Sequence, residues 1–425
     1  MGACGTFDSE RSFSNALCNC SRTMMNDIFN GCELLCPAGS FESMKTALHF
    51  GADAVYAGGP FMQLRSGNAG FSYDDIIKAV ELVHGKGKKI YITVNCFATN
   101  NEIDRLGDYA RFLYEAGVDG VIVSDLGSVV TIKAAAPDLP VHISTQANIQ
   151  NYKTAEVYYN MGAERVVLGR EMTLDEIREL RAKTPKDMEI EAFVHGAMCM
   201  SYSGRCLISS YLSGKSGNHG ECTQPCRWMY NIVEEKRPEQ HFTVIEENGT
   251  SAILSSHDLC CVEFLDEIAD AGVVSFKIEG RMKSPYYVAT VTNAYRQRMN
   301  GTATLEQIKH ELECASHRPY STGFYFGTLK YDHNNDGLYH QSCKFIAIVL
   351  ADEGNGRYTV EMRNRFSVGD TLEILSPFSS GKSFTVESII DKNGNDRQTA
   401  HLPQEILSVS CSEKLYEGDI LRMRL

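Results

Sequence analysis

The chain has 425 residues, 43% of them apolar and 22% charged, a balance that buries a large core and excludes wholesale disorder. Lys and Arg number 41 against 54 Asp and Glu, so the net charge of −13 excludes a uniformly cationic surface but leaves room for a local basic patch. No apolar stretch is long enough to span a bilayer, and the length predicts two domains at roughly 100–200 residues each, with barrels reaching roughly 250.

Residues 1–31 are rich in Ser, Asn and Cys without a period and read as a poorly ordered extension. They lack a basic segment followed by an apolar run, so no secretory signal is expected and the cytoplasm is the expected location. From Glu33 short apolar runs alternate with helical-period segments. The runs are 33–39, 54–59, 89–95, 120–125, 141–146, 165–171, 189–196 and 275–281, with amphipathic stretches such as Ser72–Gly85, Asp104–Gly117 and Thr173–Lys183 between them. Eight such units predict an α/β fold, a (β/α)8 TIM-like barrel over residues 32–330. A doubly wound sheet would more often open on a GxGxxG loop, which the first unit lacks.

Each run ends in polar residues: Asn95, Asp125, Gln146 with Asn148, Arg170 with Glu171, His195, and Lys277 with Glu279 and Arg281. In a barrel these ends meet at one mouth, where chemistry is done. Alternation places Lys277, Glu279 and Arg281 on one strand face, where three charges need partners or a ligand. The rhythm breaks once, at an insertion spanning 197–274, within which 242–256 reads as a hairpin around Asn248-Gly249. A helix pair follows the eighth strand (285–299 and 304–315). From residue 342 the period changes to two, predicting a small C-terminal antiparallel β-barrel over 342–425 after the polar linker Tyr331–Gln341.

The insertion carries Cys199-x6-Cys206-x15-Cys222-x3-Cys226 among glycines that let side chains converge. Fifteen cysteines in a long chain are no disulfide framework. Four thiols in one segment suit an iron–sulfur cluster or zinc, and neither short spacing is the CxxC usual in structural zinc sites. Cys260 and Cys261 stand in reserve as ligands, or are core thiols on a helix. Cys36, at the end of the first strand, faces the mouth or the core. A Cys nucleophile served by His195 is the rival chemistry, and it needs one activated thiolate rather than four.

Several stretches resemble a known family. Glu191-Ala-Phe-Val-His-Gly-Ala-Met-Cys199 continuing through Gly204-Arg-Cys206-Leu-Ile-Ser209, Glu33-Leu-Leu-Cys-Pro-Ala-Gly, Ser144-Thr-Gln-Ala-Asn148, Cys222-Thr-Gln-Pro-Cys-Arg-Trp228, Phe276-Lys-Ile-Glu-Gly-Arg281 and Asn364-Arg-Phe-Ser-Val-Gly-Asp370 are similar to the collagenase-like peptidase family U32. Within it the chain most resembles the branch that hydroxylates tRNA. That resemblance implies O2-independent formation of 5-hydroxyuridine at the wobble position, with prephenate as oxygen donor. It implies a [4Fe–4S] cluster on Cys199, Cys206, Cys222 and Cys226, with Cys260 as alternative fourth ligand, while the spacing of the thiols keeps zinc as the alternative metal. Other relatives hydroxylate rRNA cytidine or a quinone precursor, and the family's older peptidase label is the runner-up. tRNA and prephenate are then the expected partners, and a homodimer or a heterodimer with a paralogue is compatible with the resemblance.

A dianionic donor calls for cations, so Arg65, Arg170, Lys277 and Arg281 are candidates to bind it. Glu191 and Glu279 are expected to hold those cations or move protons. Gln146, Asn148 and His195 are expected to hydrogen-bond substrate, and Trp228, beside Arg227, to stack a base.

Overall fold

The structure is a computed structural model that describes residues 28–64, 70–199, 201–228, 257–327, 339–377 and 381–425. Most of the N-terminal extension, Arg65, the hairpin expected at 242–256 and most of the linker lie outside the described residues.

Eight parallel strands close into a barrel: β1 (Glu33–Ala38), β2 (Ala54–Gly58), β3 (Lys89–Val94), β4 (Gly120–Val123), β5 (Val141–Ile143), β6 (Arg165–Val167), β7 (Glu189–Ala197) and β9 (Ser275–Ile278). Each pairs with the next, and β9 closes the ring on β7 (Glu191 opposite Ser275) and on β1 (Glu33 opposite Ser275). The expected runs are strands, shorter than expected except β7, which runs one residue further, to Ala197. Their polar C-terminal residues leave the ladder and become the loops of the mouth, as in Arg165–Val167, where pairing stops before Arg170.

Helices cover the barrel: α1 (Phe41–His49), α2 (Tyr73–His84), α3 (Asn100–Glu115), α4 (Leu126–Ala135), α5 (Tyr152–Asn160) and α6 (Leu174–Lys183). Local chemistry sets their starts. Ser72 with Asp75 and Thr173 with Glu176 form capping boxes that satisfy otherwise orphaned N–H groups. α7 (Ile208–Ser213) lies in the insertion, and α8 (Leu265–Asp270) leads into β9. The helix pair after β9 is α9 (Pro285–Asn300) and α10 (Leu305–Leu312).

Two short strands extend the sheet beyond the barrel. β8 (Asp258–Cys260) pairs antiparallel with the overhanging end of β7, setting Cys260 opposite His195, and β10 (Tyr320–Ser321) adds to β8. This corrects the helix expected around Cys260: three residues are too few to show a period. Among the described residues no helix is long and apolar enough to cross a membrane.

The C-terminal domain is an antiparallel sheet of eight strands curled round its own core of Val360, Phe366, Ile374 and Leu407. Its central strands are β11 (Cys343–Gly354), β12 (Arg357–Met362) and the last strand, Ile420–Arg424. It is not freely tethered. Phe50, Tyr286, Ile348, Leu375 and Ile420 form a shared apolar core between the domains. Arg422, buried beneath it, pairs with Glu311 of α10, and His49 of α1 meets Asp419 at 3.2 Å. The buried sulfurs of Cys314 and Cys343 touch at 3.1 Å across the same seam.

Candidate functional site

The lower half of the barrel is filled by charge. Arg165, on β6, reaches Glu33 at 2.6 Å, Glu189 at 2.6 Å and Glu191 at 3.0 Å. Ser275 donates to Glu33 (2.9 Å) and Glu191 (3.2 Å), and the Tyr91 hydroxyl donates to Glu33 (2.7 Å). One layer higher, Lys277 Nζ donates to Glu191 at 2.6 Å and lies 4.6 Å from the centre of the Tyr56 ring. Burial alone would raise the Glu191 carboxyl, but Lys277 and Arg165 overcome it and hold it below its ordinary value. Burial pulls the Lys277 ammonium downward against the attraction of Glu191.

Above this floor opens an inner cavity of about 350 Å³. Lys277, Glu279, Arg281 and Lys283, from the end of β9 and its loop, share its wall with Arg170, Gln146 and Cys199. Arg281 donates to Thr93 at 2.8 Å and to Gln63 at 3.3 Å. Glycine makes room for that guanidinium: a Cβ on Gly58 would stand 2.9 Å from Arg281 Nη1. Arg170 donates to the Ala197 carbonyl at 2.7 Å, stacks 3.7 Å over Phe193 and reaches Glu279 at 3.8 Å.

A second, outer cavity of about 430 Å³ adjoins it, and Thr145, Gln146, Arg170 and Cys199 line both. The insertion roofs it. Ser203 donates its backbone N–H to Glu171 at 2.8 Å, and Gly204 packs so closely on Gln146 that a Cβ there would stand 2.3 Å from the Gln146 carbonyl. Asn148 turns left-handed (φ 56°) and its side-chain oxygen accepts from Gln150 at 2.6 Å. Its contact is therefore within the loop, and it is absent from both cavity walls.

His195 does not reach either cavity. Its side chain points outward from β7 into the helix layer, against Tyr287, Tyr295 and Tyr320, with Nε2 lacking a partner among the described residues. Burial drives its pKa down to about 3, so it stays neutral. The substrate or proton-transfer role expected of it is corrected to packing: the residue lies beyond a register shift in β7, opposite Ile278, and so faces the helix layer and not the mouth. Cys36 faces the core side of β1, where it accepts from Thr292 at 3.3 Å and burial lifts its thiol to about 12. The Cys260 thiol is lifted to about 11 in the same way. Trp228 is half-exposed on the insertion and is not part of either cavity wall.

Cys199 and Cys222 are exposed, and Cys206 and Cys226 are half-buried. Ser209, Ser213 and Thr223 hydrogen-bond one another and tie α7 to the turn that bears Cys222 and Cys226. The Gln224 N–H donates to Cys222 Sγ at 3.4 Å. Among the described residues no three His, Cys, Asp or Glu side chains converge as a single-ion site requires. The donor chemistry fits a thiolate-bound cluster: four cysteine sulfurs on one glycine-rich loop, with a backbone N–H already directed at one of them.

Sequence reasoning passed over Thr93, Lys283 and His257. Lys283 continues the alternation of Lys277, Glu279 and Arg281 by one more step, a legible signal. Thr93 and His257 gave none.

The chain matches Peptidase family U32 over residues 39–335 and the Peptidase family U32 C-terminal domain over residues 341–422. It belongs to peptidase family U32. The tRNA hydroxylation protein P1 of Bacillus subtilis is 37% identical over 400 residues, 92% of this chain and 94% of that protein. The tRNA hydroxylation protein P of Escherichia coli is 34% identical over 408 residues, 85% of this chain and 90% of that protein. A protein of Porphyromonas gingivalis named collagenase is 34% identical over 316 residues, 70% of this chain and 74% of that one.

Proposed function

We propose that this U32 protein is a cytoplasmic tRNA hydroxylase that forms 5-hydroxyuridine at the wobble position, takes its oxygen from prephenate rather than O2, and holds a [4Fe–4S] cluster on Cys199, Cys206, Cys222 and Cys226. The observation that carries the reading is the inner cavity, where Arg170, Lys277, Arg281 and Lys283 surround a space that Cys199 also borders. Near full-length similarity to proteins named for tRNA hydroxylation supports it.

The cations suit a small organic dianion, since guanidinium forks match carboxylates in geometry and charge. Arg281, anchored by Thr93, is placed to orient one carboxylate. Lys277, drawn toward the neutral form by burial and toward the charged form by Glu191, is suited to hold or release a proton at Nζ. The four-thiolate group, when bound, supplies redox capacity beside this cavity. Mass spectrometry of tRNA nucleosides from a strain lacking the gene and every paralogue tests the reading. Loss of the wobble 5-hydroxyuridine modifications is expected, and unchanged levels refute it.

One observation favours a peptidase. Cys199 and His257 line the same outer cavity, and a thiol and an imidazole in one cavity are the parts a cysteine peptidase needs. Peptide cleavage that survives chelation and dies with Cys199→Ser or His257→Ala would establish that activity instead.

A further inference from the structure

We infer that the outer cavity is the nucleobase pocket and that Glu171 selects uracil there by accepting its ring N–H. This rests on the reading of the protein as a tRNA hydroxylase, and adds which cavity takes the base and which side chain reads it.

The two cavities differ in charge. The inner one gathers Lys277, Arg281 and Lys283, and so suits an anion. The outer one sets Glu171 and Glu176 against Arg170, with the amides of Gln146 and Gln150, and so suits a neutral ring that carries hydrogen-bond donors. About 430 Å³ is ample for a nucleoside. Tyr202 lines the cavity while 60% exposed, a flat face on which a base turned out of an RNA loop can stack.

Glu171 supplies the selectivity. Its Oε1 is fixed by the Ser203 N–H at 2.8 Å, while Oε2 is buried without a hydrogen-bond partner among the described residues. A buried carboxylate oxygen left in that state is costly, and what it lacks is a donor. Uracil carries one, N3–H, between its two carbonyls. Cytosine presents a lone pair at the same position, which a carboxylate repels. The strand around the base has a complementary surface. Residues 201–226 carry Arg205 and Lys215 against one acid, Glu221, the reverse of the chain's net −13. Arg205 and Lys215 are exposed for phosphates, beside exposed Tyr211.

The test measures binding of the full-length protein, purified anaerobically, to anticodon stem-loops with uridine, cytidine, 3-methyluridine or an abasic site at the wobble position. Wild type should bind the uridine loop about 10–100-fold more tightly than the 3-methyluridine, cytidine and abasic loops. Glu171→Gln, whose amide oxygen can still accept from Ser203, should lose about tenfold for uridine and gain for cytidine, because the amide N–H now meets the cytosine lone pair. Tyr202→Ala should weaken the uridine and cytidine loops and leave the abasic loop unchanged. The 3-methyluridine comparison needs no variant, so it decides the matter even if Glu171→Gln fails to fold. RNA binding that ignores the wobble base and Glu171 alike overturns the inference and leaves the hydroxylase reading standing. Absence of any RNA binding by wild type overturns the hydroxylase reading and the inference with it.

Discussion

Lys277 and Arg165 divide one carboxylate between them: Lys277 Nζ donates to Glu191 Oε1 at 2.6 Å, and Arg165 Nη1 to Glu191 Oε2 at 3.0 Å, in the closed interior of the barrel. The anion is wholly buried, and the two cations come from different strands. This triad is the support on which the inner cavity rests.

Glu191→Gln removes the anion and leaves two cations in a space closed to water. It should cost about 3–5 kcal/mol of stability, read as a lowered midpoint in denaturant unfolding. A change below about 0.5 kcal/mol would show that Glu33 and Glu189 suffice to balance Arg165.

The same carboxylate should leave a mark in the acid range. Its folded-state pKa lies below the ordinary 4.5, so the stability it contributes is fully present above that pH and is lost as the pH falls through the folded value. The stability gap between wild type and Glu191→Gln should therefore be constant above about pH 4.5 and narrow below it. A gap independent of pH would contradict the linkage.

Arg281→Ala should raise KM for the small anionic co-substrate by about 10–100-fold, the worth of a charge-assisted hydrogen bond, with a smaller effect on kcat. Arg281→Lys should recover only part of the loss, because an ammonium cannot reproduce the two-pronged geometry. Steady-state kinetics at varied donor concentration separate the two parameters.

Serine replacement of Cys199, Cys206, Cys222 or Cys226, one at a time, should abolish the brown colour and lower the iron content of anaerobically purified protein. Cys260→Ser and Cys36→Ser should retain both, since Cys36 is buried and Cys260 half-buried against the helix layer, with thiols pushed up to about 12 and 11. Iron retained without Cys226 and lost without Cys260 would exchange their roles. A colourless protein with stoichiometric zinc would dismiss the cluster.

The barrel was legible because buried parallel strands are short apolar runs and each is followed by an amphipathic helix, so that Lys89–Val94 and Gly120–Val123 are readable at sight. Lys277 and Arg281 were legible because charges alternating in an apolar strand have few places to go. His195 misled because a polar residue at the end of a run was expected at the mouth, and the register shift between Phe193 and His195 that turns it to the helix layer is not displayed by a sequence. β8 was missed because Asp258–Cys260 is ordered by its partner β7, not by a pattern of its own. Glu171 stood at a strand end in plain view, but the orphaned Oε2 depends on where Ser203 lands, thirty-two residues away.

Thr145, Gln146, Arg170 and Cys199 belong to both cavities, and that common wall makes their occupancies interdependent. A ligand that fixes Arg170 or Gln146 from one side fixes the surface met from the other. Thermodynamic linkage then requires reciprocity: whatever factor the small acid contributes to the affinity for RNA, RNA must contribute to the affinity for the acid. The cavities would act as the two arms of one balance.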